Sequence, residues 1–187
     1  MERVEAFPGF PSPEQAAGSH YQHITRAIIG QQLSTKAART IHGRIVALTD
    51  GPHFPTPEEL EQLDDTDLRG AGTSRPKIRA IRDLAARLAD GRLVLDGIEH
   101  CDDDEVIERL VTVKGIGVWS AQMFLMFRLG RLDVLASGDL GVREGLKRLD
   151  GLEERPSAKE VDERGRVWSP LSSVACWVLW RLTEEPK

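Results

Sequence analysis

Two short stretches combine residue types and spacings that could do chemistry. In VKGIGVWSAQM, Val113 to Met123, two glycines flank Ile116 immediately before a run that reads as helical. Glycine permits positive φ and close approach of another backbone. Amides at such a turn and at the first turn of a helix point outward, with the helix dipole behind them. Gly115, Ile116, Gly117 and Val118 therefore form a candidate anion site that needs no side-chain charge. The plainer reading of a lone G-x-G is a glycine C-cap followed by a new helix. In ASGDLGVREGL, 22 residues beyond Gly117, Asp139 stands on a short connection leading into another helix. A carboxylate there is either an N-cap or a charge held for catalysis. Other chemistry-bearing residues have simpler uses. His20 and His23 are three apart, but no carboxylate or cysteine joins them at ligand spacing. The acidic run Asp102 to Asp104 suits a solvated helix N-terminus better than a metal site. Trp177 and Trp180 form a helical stripe that, by spacing alone, is core packing, and Trp168 is expected in the core.

The elements that must position these residues are helices almost throughout. HITRAIIGQQL places Ile24, Ala27, Ile28 and Leu33 for a buried helix ending between Gly30 and Ser34. From Ser34, Ala37, Ala38, Ile41, Ile45 and Leu48 share a face. Thr56, Pro57 and Glu59 spell a capping box with proline at the first helical position. A helix from Ser74 carries Ile78, Ile81, Leu84, Ala85 and Leu88 inward with its charges outward, and stops at Gly91. Asp102 and Glu105 open a helix burying Val106, Ile107 and Leu110. The glycine turn precedes a helix from Gly117 to Leu129, another follows Asp139, and a last one runs from Pro170 to Leu182 with Ser169 as its cap. LEERPSAKEVDERGR reads as a helix-bearing surface loop. No convincing strand, repeat or low-complexity tract interrupts the pattern.

Composition bounds the function classes. At 187 residues, 40% hydrophobic and 29% charged, the chain can bury one good core or divide into two small lobes. Cys101 and Cys176 make no disulfide framework, and no apolar run approaches the roughly 20 residues of a membrane span. The N-terminus lacks the apolar region of a signal peptide, so the expected setting is cytoplasmic. A net charge of −5 argues against a large electrostatic footprint on nucleic acid. Gripping phosphates by backbone amides would answer that objection.

The hairpin followed by Asp139 resembles the helix-hairpin-helix (HhH-GPD) DNA glycosylase superfamily, whose signature is this hairpin, a Gly/Pro-rich loop and an obligatory aspartate. ITRAIIGQQLSTKAA looks like the family's early helix and duplex-probing loop, GTSRPKIRAIRDLA resembles its next helix start, and VWSPLSSVACWVLWRL resembles its closing helix. Residues 20–185 are thereby nearly all accounted for, and the best-matching subfamily is the 3-methyladenine DNA glycosylase II (AlkA) type. The resemblance implies an all-α, compact two-lobed fold. Residues 1–19 would be an N-terminal extension, and 20–187 the catalytic core without the extra β-rich N-terminal domain of AlkA-type enzymes.

Three departures refine what the resemblance implies. Family members that also cut the backbone carry a lysine where this chain has Trp119, so a monofunctional enzyme without lyase activity is expected. Iron–sulfur relatives place four cysteines near the C-terminus, where this chain has only Cys176, so no cluster is expected. Met123 and Leu140 stand where the AlkA-type base pocket has tyrosines, leaving a less aromatic pocket. The pocket's other walls are Trp119 and Trp180 by resemblance. Matching without gaps puts Gln32 at the wedge that fills the gap left by a flipped base, with Leu33 beside it; a buried Leu33 at a helix end is the alternative. Carbonyls of the hairpin, Val113 and Ile116 among them, would hold a sodium or potassium ion.

The chemistry then expected is hydrolysis of an N-glycosidic bond through an oxocarbenium-like sugar, with Asp139 stabilising the positive charge and orienting or deprotonating water. The partner would be double-stranded DNA carrying an alkylated base, 3-methyladenine or 7-methylguanine, acted on by a monomer at the bacterial nucleoid with no membrane involved. Three alternatives stand beside it: a non-catalytic helix-hairpin-helix DNA-binding module, a glycosylase for neutral deaminated bases, and a helical protein-interaction domain.

Overall fold

The computed structural model describes residues 18–184. Among these residues the chain forms ten α-helices, two short 3-10 turns and no strand. Of the extension assigned to residues 1–19, only Gly18 and Ser19 fall within the described part. The chain divides within one helix into two compact units, one built from the described residues of Ala17–Ala121 and the other from those of Gln122–Lys187.

The first unit holds α1 (His20–Gly30), α2 (Thr35–Val46), α3 (Pro57–Gln62), α4 (Asp65–Gly70), α5 (Arg75–Ala89), α6 (Asp103–Val111) and the start of α7 (Val118–Phe127). Local caps set most of these starts. Ser19 and Gln22 form a reciprocal capping box, as do Thr56 and Glu59 with Pro57 at the first turn. Ser34 accepts from the Ala37 amide and Asp102 from the Glu105 amide. Glu105 does not complete a box; its side chain pairs with Arg109 instead. Ile24, Ile28, Ile29, Ile45, Leu60, Ile78, Ile81, Leu84 and Leu110 make the core. Several inward assignments shift. Ile29 is buried while Ala27 is exposed, and Ile41, Leu48, Leu88 and Ile107 are only half-buried. Leu33, at the end of the α1 pattern, is 39% exposed. The six residues of α4 bury only Leu68, too few apolar positions for a periodicity to register.

Helix α5 does more than bury a face. Its Lys77 ammonium donates to the carbonyls of Ile29 and Gln31, 2.7 Å each, at the end of α1. Arg82 donates to the carbonyls of Leu60 (3.0 Å) and Leu63 at the end of α3. Each satisfies carbonyls that a helix C-terminus leaves without partners. The polar face of α5, expected to point outward, is thus partly turned to its neighbours.

The second unit holds the remainder of α7, then α8 (Leu140–Asp150), α9 (Ala158–Gly165) and α10 (Ser172–Glu184). A Cβ at Gly145 would collide with the Leu179 carbonyl, so glycine lets α8 and α10 approach backbone to backbone. Helix α10 begins at Ser172, two residues after Pro170, and Ser169 is not its cap. The Ser169 hydroxyl donates to Asp133 Oδ2 at 2.6 Å, while Asp133 Oδ1 accepts from the Ser172 hydroxyl and its amide (3.2 Å). The cap thus comes from Asp133, and these hydrogen bonds hold its carboxyl below the usual range. Trp168 is half-buried rather than in the core, with the Arg164 guanidinium 5.6 Å from its ring centre.

Candidate functional site

In the second unit the connection before α8 delivers Asp139. Its amide donates to the Ala136 carbonyl at 3.0 Å, its backbone is extended, and its own carbonyl accepts from Arg143. Asp139 Oδ1 accepts from the Val142 amide at 2.8 Å and from the indole N–H of Trp180 at 2.7 Å. The first bond is an N-cap, so the structural role open to this residue is realised. The second is long-range and goes beyond what a cap needs. Two donors converging on one oxygen fix the orientation of the carboxylate, and a charge-assisted bond from a half-buried indole is among the stronger kinds.

Close packing supports that contact. A Cβ on Gly141 would lie 2.7 Å from Trp180 Cδ1, 3.0 Å from its Nε1 and 3.1 Å from Asp139 Oδ1, so glycine is needed for the indole to reach the carboxylate. Trp180 also packs against Phe127 (ring centres 5.9 Å apart) and edge-on to Trp177 (6.5 Å). The neighbouring Cys176 is buried, and burial pushes its thiol up to about 11. At neutral pH it stays protonated, unsuited to attack. Met123 is half-buried on α7, and Leu140, directly after Asp139, is 60% exposed.

The first unit carries the glycine hairpin between α6 and α7. Gly115 takes the left-handed conformation, φ +79°, and a Cβ there would meet the Ala80 Cβ at 3.2 Å; Gly117 keeps an ordinary φ. Ile116 is turned inward, its side chain buried and its amide donated to the Val113 carbonyl at 3.1 Å. Its part in the turn is therefore structural. The amides of Gly115, Gly117 and Val118 donate to no backbone acceptor among the described residues. Trp119, in the first turn of α7, is 46% exposed.

Residues assigned no role from the sequence hold the hairpin in place. Asp83 of α5 accepts from the Lys114 amide at 2.9 Å and from Arg87 at 2.8 Å, and its side chain is almost wholly buried. Burial alone would raise its pKa, but the Lys114 amide and Arg87 outweigh it and hold the carboxyl low. Gln31 Nε2 donates to the Gly115 carbonyl at 2.9 Å. Gln31 also begins the exposed turn after α1, in which Gln32 adopts a left-handed φ of 57° and Leu33 projects outward. The turn and the hairpin are thus tied directly. The contacts of Gln31 with Gly115, of Lys77 with the end of α1 and of Asp83 with Lys114 are invisible to motif reading because they span 31 to 84 residues. Among the described residues no group of three or more His, Cys, Asp or Glu could hold a metal, and no helix is long and apolar enough to cross a membrane.

The family model for the HhH-GPD superfamily of base excision DNA repair proteins matches residues 25–170. DNA-3-methyladenine glycosylase 1 of Schizosaccharomyces pombe is 34% identical over 165 residues, covering 88% of this chain and 72% of that protein. The solved structure of the 3-methyladenine DNA glycosylase Mag1 of that yeast, in complex with abasic DNA, superposes with a TM-score of 0.84 at 32% identity, covering 95% of this chain and 87% of that one. A DNA-3-methyladenine glycosidase structure from Bacillus halodurans gives 0.81 at 40% identity, covering 93% and 78%. With the hairpin, the aspartate at the head of α8 and this agreement together, the chain belongs to the HhH-GPD superfamily of base excision DNA repair proteins.

Proposed function

We infer that the protein is a DNA glycosylase that hydrolyses the N-glycosidic bond of alkylated bases in duplex DNA and so initiates base excision repair. The observation that carries this reading is the Asp139 carboxylate, fixed at the head of α8 by the Val142 amide and the Trp180 indole. Loss of the base leaves positive charge on the sugar, and a fixed carboxylate stabilises it while orienting or deprotonating the attacking water. Bases alkylated at ring nitrogens, such as 3-methyladenine and 7-methylguanine, are cationic in the nucleotide and leave as neutral molecules. They need no strong general acid.

The base must leave the stack to react, at a cost of about a few kcal/mol. We assign Trp180, Met123 and Leu140 to contact with the extruded base, and the exposed indole of Trp119 to stacking. Gln32, with Leu33 beside it, is the wedge: a left-handed turn braced by Lys77 presents both outward. Duplex phosphate is gripped by the amides of Gly115, Gly117 and Val118. The carbonyls of Val113 and Ile116 supply oxygen ligands of the kind that suit a hard sodium or potassium ion beside that phosphate. Trp119 offers no amine for a Schiff base, so the reaction stops at the abasic site.

The test is incubation of the full chain with duplex DNA containing a single 7-methylguanine. Free base should appear while the strand stays intact until alkali is added, and borohydride should trap no covalent adduct. Release of uracil or hypoxanthine in preference to alkylated bases, or a trapped adduct, contradicts the reading.

A further inference from the structure

Helices α1 and α2 leave a cavity of about 350 Å³ lined by Arg26, Thr35, Ala38, Arg39 and His42. Among the described residues two guanidinium groups line it and no carboxylate does, in a chain whose net charge is −5. Arg26 Nε donates to His42 Nε2 at 3.4 Å, which makes the imidazole the acceptor and therefore neutral. Burial, and then the charge of Arg26, lower the His42 pKa and favour the same state. Thr35 is the first residue of the 12-residue α2, so its hydroxyl and amide stand at the positive end of that helix dipole. Arginine's planar fork matches the oxygens of a phosphate, and a helix N-terminus adds donors from the backbone.

The position of the cavity indicates which phosphate. Gln31 is bonded to the hairpin and Thr35 lines the cavity, so the exposed Gln32 and Leu33 lie between the two along the chain. Successive Cα atoms are about 3.8 Å apart, which keeps Thr35 within roughly 11 Å of Gln32. The minor groove is only about 6 Å wide between its phosphate walls, so a wedge inserted there brings a backbone phosphate within reach of the cavity. We propose that the Arg26–Arg39 cavity is a second phosphate subsite, taking one phosphodiester of the duplex beside the wedge, separate from the hairpin's amide grip. The proposal rests on the reading of the protein as a duplex-DNA enzyme.

The test measures binding of the full chain to undamaged duplex as a function of salt, for wild type, the Arg26→Gln/Arg39→Gln double variant and Arg39→Lys, with thermal melting as the check on folding. Loss of one neutralised phosphate should flatten the slope of log K against log salt by about 0.9 in the double variant. Affinity at low salt should fall on the order of tenfold, as for loss of a charge-assisted contact, and Arg39→Lys should retain most of the slope. Duplexes with one neutral methylphosphonate then locate the partner: at one position beside the lesion site the modification weakens wild type but not the double variant. A double variant that melts like wild type, binds with the same slope and shows the same penalty at every methylphosphonate overturns the subsite. Failure of wild type itself to bind duplex overturns the DNA reading on which the subsite rests.

Discussion

Asp139 does two jobs with one oxygen. As N-cap it accepts from Val142, and through the same Oδ1 it holds the indole of Trp180, 41 residues away. The aspartate was legible in the sequence because a short connection into a helix, set behind a glycine hairpin, is a local pattern. Its partner was visible as an aromatic in a stripe and, by resemblance, as a pocket wall, but not as a donor to Asp139, since neither spacing nor propensity shows which way an indole N–H points. That direction changes what Trp180 is expected to contribute. A ring that only stacks would favour cationic bases by roughly 2 kcal/mol in a dry site. A ring that also orients the carboxylate affects every substrate. Trp180→Phe, which keeps a ring and removes the donor, should therefore slow excision of 7-methylguanine and of any neutral base cleaved by a similar factor, on the order of tenfold or more for one hydrogen bond to a charged group. Single-turnover rates on the two substrate classes decide it. A loss confined to the cationic base would leave stacking as its whole contribution.

At the scale of elements, four helix starts with local caps were readable, and one whose cap is distant was not. Ser34, Thr56, Asp102 and Asp139 each meet an amide within three residues, and their helices begin where the sequence places them. Helix α10 does not, because Asp133, 39 residues before Ser172, satisfies its first turn. The hairpin shows the same division. Its glycines mark a turn, but only the structure distinguishes Gly115, which needs positive φ, from Gly117, which does not. Gly115→Ala should destabilise the fold by about 1–2 kcal/mol through the left-handed conformation alone, with the 3.2 Å approach to Ala80 adding to it, while Gly117→Ala should cost less; urea denaturation of the two variants compares them. Asp83 makes a pH prediction. Its carboxyl pKa is lower folded than unfolded, so the stability it supplies is fully present above the ordinary carboxylate value of about 3.9 and is lost as pH falls through the depressed folded value. The stability difference between wild type and Asp83→Asn should therefore be constant from about pH 5 to pH 8 and shrink below about pH 4. Urea melts across that range measure it, and a difference that grows on acidification would contradict the assignment.

For the whole molecule, the proposed grip on phosphate by backbone amides and two arginines would reconcile an acidic chain with DNA, since it needs no basic surface. Composition bounded the class, and the hairpin and aspartate pointed to the family. The turn-to-hairpin tie through Gln31 and the bracing by Lys77 and Asp83 depend on tertiary approach and leave no periodic signal. The central claim is that a carboxylate fixed at the head of α8 drives release of an alkylated base. The most direct measurement is single-turnover release of free 7-methylguanine from duplex DNA by wild type and Asp139→Asn, alongside lesion-DNA binding and thermal melting. The asparagine oxygen can still accept from Val142 and Trp180, so binding and melting should stay close to wild type. The rate should fall by roughly 10²- to 10⁴-fold with loss of the charge and the base. An Asp139→Asn enzyme that folds, binds and still releases base within about tenfold of the wild-type rate, well short of that range, would contradict the account.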